Sequence, residues 1–391
     1  MHAKPISKFP ASALVVSRFD LTDRSAWSGI MHKIYEVVTK EFAEVVPCDR
    51  LGYPKGLLIG AENRLLALLG RSSYWRAGTA RYYAGQIQQR IASIETDWDV
   101  AIVIDSFMVL PFLKLHKPVI YLSDCTKTQL VELGYPGFDH VSAANLRSLM
   151  AMERLAYQNA STLVFSSQWG AESAIRQYGV AAEKVMVVPF GANIDRIPPR
   201  DAALLDGPWR HSSKCELLMI GVDWTRKGGD IAKEIMESLN RRGIECRLTV
   251  CGCVPPYPPD PNIRVFPFLD KNKPSDLRLL EGLLSEASYL VVPTQADCSP
   301  IVFCEAFAYG LPVTTCHVGG VPEIVTHCVN GFVLAPKAPA EDFANLIASN
   351  YQNQEIYLGY RSAARAAYEK TFNWTHWVQQ LRSIVQGLAN S

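Results

Sequence analysis

Two carboxylates, Asp297 and Glu305, flank a helix start in the stretch from Val291 to Val325, VVPTQADCSPIVFCEAFAYGLPVTTCHVGGVPEIV. Ser299 suits an N-cap and Pro300 a first helical residue. Proline has no N–H, so the expected unpaired donors of the first turn are the amides of Ile301, Val302 and Phe303, which together make an anion site. Glu305 is the one charge on the otherwise apolar helix PIVFCEAFAY. A buried carboxylate needs an Arg or Lys mate or a hydroxylated ligand, and the ligand is the favoured expectation. At a rise of about 1.5 Å per residue the two acids lie on the order of 10 Å apart, so they can address opposite ends of one extended ligand but not share a proton.

Three further loops carry candidate chemistry. Arg226 and Lys227 are adjacent cations in the loop Gly221 to Gly229, ahead of a glycine-led helix. They suit a diphosphate, with a solvated turn as the plain alternative. Ser28 and Gly29 open an amphipathic helix, where a glycine lets backbone approach a phosphate closely; an ordinary cap is the alternative. Asp124 follows a strand in YLSDCT, either as a turn or N-cap aspartate or as part of a site.

These loops need strands to hold them. Short Val- and Ile-rich runs mark strands at Ala13–Ser17, Val100–Ile104, Val119–Leu122, Thr162–Ser166 and Val185–Pro189, with helical patterns at Ile30–Phe42, Leu146–Gln158 and Glu172–Tyr178. After an interruption at Phe190–Ser213, rich in Gly, Pro and charge, a second set begins. Its strands are expected at Glu216–Ile220, Arg247–Cys251, Ile263–Pro267, Tyr289–Val292, Pro312–Thr315 and Gly331–Leu334, with helices at Gly229–Asn240 and Ser275–Glu286. Such alternation predicts an α/β chain with doubly wound parallel sheets, whose ligands sit at strand carboxyl ends.

Composition narrows the function classes. A chain of 391 residues suits two α/β domains. A formal net charge of +1 argues against charge-driven nucleic-acid binding. The ten cysteines follow no zinc-ligand spacing and fit reduced, buried thiols, so no metal site is expected. No run reaches the ~20 apolar residues of a membrane span, and a cytoplasmic location is expected. The segment Lys55–Ile94 is basic and aromatic-rich, with Arg64, Arg71, Arg76, Arg81 and Arg90 among Tyr74, Trp75, Tyr82 and Tyr83. It fits either a peripheral contact with anionic lipid or helices with solvated basic faces.

Taken in order, several motifs resemble the retaining, nucleotide-sugar-dependent glycosyltransferases of the two-Rossmann GT-B fold, family 4. They are the WSG helix start, TLVFSSQWGAESAIRQYGVAAEKVMVVPFGANID, the RKGG loop, the block Ala296–Val325 with GLPV and GGVPEIV, NGFVL, and the closing FNW helix. The resemblance implies an N-terminal acceptor domain over residues 1–195, a nucleotide-sugar domain over 196–371, a cleft between them, and a helix over 372–391 crossing back. It implies a ribose contact for Glu305 and donor-sugar contacts for Asp297, Cys298, Ser299 and Pro300. Diphosphate contacts fall to Ser28, Gly29, Arg226, Lys227, Ile301 and Val302. Asp297 and Asp124 are the candidate catalytic positions; the family has glutamate at the first and, in many members, histidine at the second. Val222 stands where relatives carry an arginine.

The activity so implied is transfer of a hexose-type sugar from a nucleoside diphosphate sugar to a hydroxyl acceptor, such as a glycan or lipid-linked intermediate. No cofactor beyond the co-substrate and no obligatory metal are expected, because cations and a helix start are on hand to neutralise the leaving diphosphate. A sugar-nucleotide epimerase and a non-catalytic sugar-nucleotide-binding partner protein are the alternatives on the same architecture.

Overall fold

The computed structural model describes residues 8–52, 77–138, 142–205 and 214–390. The chain divides into two compact units: Met1–Pro189 together with Val378–Ser391, and Phe190–Trp377. Each unit is built on one six-stranded sheet, and every strand ladder among the described residues is parallel.

In the first unit the strands are β1 (Phe9–Ser17), β2 (Phe42–Cys48), β3 (Val100–Ile104), β4 (Val119–Ser123), β5 (Thr162–Phe165) and β6 (Val185–Val187). Their order across the sheet is β2-β1-β3-β4-β5-β6. β3, with the sequence VAIVI, is buried throughout, as a central parallel strand covered on both faces must be. β2 is the strand that periodicity does not reveal. The expected helix to Phe42 stops at Glu41, and Phe42 starts β2 instead. Its pattern is weak because only its two ends are fully buried, and it lies at the sheet edge, where Pro47 withholds no needed ladder bond.

In the second unit the strands are β7 (Cys215–Ile220), β8 (Cys246–Cys251), β9 (Ile263–Phe266), β10 (Tyr289–Val292), β11 (Val313–Cys316) and β12 (Gly331–Leu334), in the order β12-β11-β10-β7-β8-β9. The core of this unit gathers β7, β8, β10 and β11 with the helices Gly229–Arg241, Ile301–Ala308 and Ala340–Tyr351; Ala192 and Ile194 also belong to it. The strands stay parallel, but the order in which they are added reverses between β7 and β10: β8 and β9 extend the sheet on one side of β7, and β10 to β12 on the other. In such sheets the crevice outside the strand ends at that reversal is the ligand position.

Of the basic segment Lys55–Ile94, the part up to Arg76 lies outside the described residues. The helix Ala77–Ala92 follows it. There Arg81 lies over the Phe112 ring at 5.2 Å, Arg90 donates to the carbonyls of Asp49 and Arg50, and Tyr83 is buried. Among the described residues, no helix is long and apolar enough to cross a membrane. All ten cysteines are free thiols, and all but Cys328 are buried.

Candidate functional site

The reversal between β7 and β10 brings together two loops that are far apart in sequence. The loop after β7 carries Arg226 and Lys227; the loop after β10 carries Asp297. They are joined by the Gln295 amide, which donates to the Arg226 carbonyl at 2.8 Å, and by the Arg226 guanidinium, which donates to the Ala296 carbonyl at 2.9 Å. Gly228 permits this approach. Its φ of +75° is left-handed, and a Cβ there would stand 2.2 Å from the Pro293 carbonyl oxygen.

Lys227 donates to Asp297 at 2.5 Å, and the Arg226 guanidinium lies 3.9 Å from the same carboxylate oxygen. Lys227 and Asp297 are 8% and 7% exposed. The Lys227 stem packs on Gly221, where a Cβ would come within 2.6 Å of its Cγ. On its other side the Asp297 backbone is pressed by Gly319, whose Cβ would lie 1.9 Å from the Asp297 carbonyl oxygen at a φ of +51°. The Gly320 amide donates to Cys298 at 3.0 Å. The two glycines of GGVPEIV therefore set where the acidic loop lies.

The helix after this loop begins at Ile301, with Pro300 as its cap residue and no side-chain cap. This corrects the expected start by one residue: Pro300 has ψ 105°, outside helical geometry. The Phe303 amide, expected to be available, donates to the Pro300 carbonyl at 3.0 Å. Ile301 and Val302 supply the two remaining first-turn amides, and Ser299 precedes them, half-buried.

Glu305 is 1% exposed on this wholly buried helix. Of the two partners left open by the sequence, a cationic mate is present. Lys271, from the loop after β9, donates to Glu305 Oε1 at 2.5 Å. The pair adjoins Cys251 at the carboxyl end of β8: burial pushes that thiol up to about 12, with Lys271 pulling the other way. Asp297, after β10, is met by a lysine from the loop after β7, and Glu305, on the helix that follows, by a lysine from the loop after β9. Sequence reasoning missed Lys271. Its only signal was a lysine in a loop leaving a strand end.

In the first unit, Ser28 and Gly29 follow β1 and Asp124 follows β4. Trp27 and Ser28, with φ of +47° and +56°, and Gly29 with +85°, form three consecutive left-handed residues before the helix Ile30–Glu41. Left-handed non-glycine residues cost about 1–3 kcal/mol each and cluster at functional sites. The Trp27 indole N–H donates to Asp124 Oδ2 at 3.2 Å. Burial, then the nearby charge of Asp105, pushes the Asp124 carboxyl up to about 6, against the pull of Lys127 and of hydrogen bonds from Cys125 and Trp27. Gly170 packs against this turn, its would-be Cβ 2.9 Å from the Asp124 carbonyl oxygen.

Behind Asp124 stands a network that sequence reasoning did not find. Lys127 donates to Asp105 at 2.9 Å, and its backbone amide donates to both oxygens of Glu153 at 3.1 and 3.0 Å. Glu153, fully buried, also accepts from the hydroxyls of Tyr157 at 2.8 Å and of Tyr178.

Residues 214–353 match the family described as "Glycosyl transferases group 1". Over 248 residues the chain is 28% identical to the amylovoran biosynthesis glycosyltransferase AmsK of Erwinia amylovora, covering 60% of this chain and 58% of that protein. Among solved structures, sucrose-phosphate synthase from Thermosynechococcus elongatus is similar with a TM-score of 0.70 at 15% identity, over 98% of this chain and 100% of that one. HepE of Anabaena in complex with UDP-glucose is similar with a TM-score of 0.65 at 17% identity, over 96% of this chain and 100% of that one. At these identities the structural likeness bears on the fold alone, which is two Rossmann-like α/β units of GT-B type. The Lys227–Asp297 and Lys271–Glu305 pairs both lie within the segment that matches the glycosyl transferases group 1 family.

Proposed function

We propose that this chain is a retaining glycosyltransferase that moves a hexose-type sugar from a nucleoside diphosphate sugar to a hydroxyl acceptor. The observation that carries the reading is the row of groups along the carboxyl edge of the second sheet. Asp297, Lys227 and Arg226 stand at the β10/β7 reversal, the helix opened by Ile301 and Val302 follows the same loop, and Glu305 on that helix meets Lys271 from the loop after β9. A nucleoside diphosphate sugar presents a diol, a diphosphate and a sugar in that sort of sequence. Glu305 would take the ribose hydroxyls; Lys227, Arg226 and the Ile301 and Val302 amides the diphosphate; Asp297, Cys298 and Ser299 the sugar. That the similar HepE structure holds UDP-glucose supports this class of donor.

In the reaction the bond from the anomeric carbon to the phosphate oxygen breaks, and a bond to the acceptor oxygen forms on the same face. The acceptor proton passes to the departing phosphate. Cations and helix amides fixed at the leaving oxygen stabilise the charge that develops there, and no divalent ion is called for. Lys227 is then shared between Asp297 and the diphosphate. Asp124, with a carboxyl near half-protonation at pH 6, suits a hydroxyl of the sugar or acceptor in the first unit, where Ser28 and Gly29 offer backbone to an anion. A relative named for amylovoran biosynthesis fits a biosynthetic acceptor, for which a glycan or a lipid-linked intermediate is proposed. Peripheral contact of the segment Lys55–Ile94 with anionic membrane belongs to the same proposal; its test is salt-sensitive sedimentation with anionic vesicles.

The test is incubation with UDP- and GDP-sugars, with and without a glycan acceptor, following free nucleoside diphosphate and the anomeric configuration of the product by NMR. Acceptor-dependent release with retained configuration, unchanged by EDTA, is the expected result. Conversion of donor alone would instead mark an epimerase, and binding without release under any acceptor a non-catalytic binder.

A further inference from the structure

Asp230, the residue after the RKGG loop, joins two loops of the second unit's strand-end row. One of its carboxylate oxygens, Oδ1, accepts from the Trp224 indole N–H at 2.7 Å and from the Tyr257 hydroxyl at 2.7 Å. Trp224 belongs to the cationic loop after β7, and Tyr257 to the proline-rich loop VPPYPPDPN after β8. The two rings meet edge to face, with centroids 6.4 Å apart. Prolines fix the backbone on either side of Tyr257, so that loop is a stiff brace.

Trp224 anchors the cationic loop. It is 6% exposed, and a Cβ at Gly229 would stand 2.2 Å from its ring. Its carbonyl accepts from the Gly229 amide at 2.8 Å. Just before it, Asp223 takes the Arg226 amide on its side chain at 2.9 Å and the Lys227 amide on its carbonyl at 3.0 Å. The turn from Asp223 to Gly229 is therefore wrapped on the indole, and the backbone that carries Arg226 and Lys227 moves with it. The two loops also touch through backbone. Gly252, with φ +104°, would place a Cβ 2.7 Å from the carbonyl oxygen of Gly221, the residue on which the Lys227 stem packs.

Resting on the reading that Arg226 and Lys227 hold the donor's diphosphate, we propose that Asp230 is a positioning residue for that diphosphate. It fixes the direction of the indole through a directional hydrogen bond, and with it the turn and the place of the two cations. Through Tyr257 it braces the turn against the proline-rich loop. An acid in the first turn of a helix also interacts with the helix dipole, but that effect needs the negative charge. Positioning needs only an acceptor oxygen. Because both donors meet the same oxygen, the amide carbonyl of Asp230→Asn can hold both.

The experiment is calorimetric titration of the full chain with UDP and UMP and with GDP and GMP, so that the ratio of di- to monophosphate affinity reads the contact with the second phosphate. The wild type should prefer the diphosphate about tenfold, equivalent to about 1.4 kcal/mol. Asp230→Ala should lose most of that preference, Tyr257→Phe part of it, and Asp230→Asn should keep it. In a Lys227→Ala background Asp230→Ala should remove little more, since the two act as one unit. A wild-type ratio in Asp230→Ala or Tyr257→Phe overturns the proposal, and so does a fully additive loss in the double variant. An Asp230→Asn variant that folds, by its melting temperature, but loses the preference overturns it too. Equal weakening of mono- and diphosphate in Asp230→Ala does the same, because it marks a role in folding alone. If Lys227→Ala retains the wild-type ratio, or no nucleotide binds the wild type, the donor-site reading itself fails.

Discussion

Both units bury lysines and carboxylates near the carboxyl ends of their sheets, and both pair a lysine with an aspartate, but Glu153 of the first is held differently from Asp297 and Glu305 of the second. In the first, Glu153 is saturated: both oxygens take the Lys127 amide, and two tyrosine hydroxyls complete the set. Burial raises its carboxyl, with Lys127 and the two tyrosines pulling it back down. In the second, Asp297 and Glu305 each meet a lysine ammonium at 2.5 Å on a long side chain from another loop. A carboxylate held by backbone and phenols has nothing to exchange, so it serves as a structural tie. One held by a lysine can trade that contact for a ligand, and a buried ion pair is in any case a poor source of stability. The contrast separates scaffold from site within the same residue chemistry.

The largest expected effect tests the scaffold side. Glu153→Ala strands the Tyr157 hydroxyl and the Lys127 amide in the core and takes one of two partners from Tyr178, which keeps Thr128 at 2.7 Å, at a cost of about 3 kcal/mol. Denaturant unfolding should show that loss, while turnover per folded molecule changes little; a large drop in turnover at unchanged stability would erase the contrast.

Lys227→Ala tests the site side. Loss of one preorganised charge at the leaving group should lower kcat about 10²- to 10³-fold. The melting temperature should fall as well, because Asp297 keeps only Arg226 at 3.9 Å, so turnover is read per folded molecule. Near-normal turnover would remove Lys227 from the proposed site.

Gly319→Ala asks whether the acidic loop is placed by backbone contact. A Cβ 1.9 Å from the Asp297 carbonyl, on a left-handed residue, must push the loop aside. A displacement of about 1 Å there can cost on the order of 100-fold in rate. Steady-state kinetics of a variant shown to be folded decide it.

The smallest effect concerns Asp124, which lies between the two types. Its carboxyl stands at about 6 when folded against an ordinary 3.8. A raised carboxyl favours the folded state when protonated. That contribution is fully present below about 3.8 and is lost as pH rises through about 6. Melting temperatures of wild type and Asp124→Asn, compared on either side of pH 6, should show the wild type alone losing this increment as pH rises. Parallel curves would mean that Asp124 is ionised throughout.

Much of this was legible in the chain itself. Central strands such as β3 and β10 stand out because a parallel strand buried on both faces must be an unbroken apolar run. Edge strand β2 does not, because half-exposed positions carry mixed residues. The acidic block and the RKGG loop were visible as residue types at spacings that suit an anion and a hydroxylated ligand, and the GGVPEIV block and the ribose role through the family resemblance. Glu305's need for a partner followed from one charge on an apolar helix.

What only the tertiary structure decided is which groups meet. Lys227 and Asp297 are 70 positions apart, and Lys271 and Glu305 are 34. Strand order makes them neighbours, because parallel strands added on both sides of β7 bring loops distant in sequence to one edge of the sheet. Local sequence determines helices, strands and turns, since those depend on side chains within a few residues. The pairing of charges across loops depends on register and on the few glycines that let backbones close to contact, and it becomes visible only once the sheet is assembled.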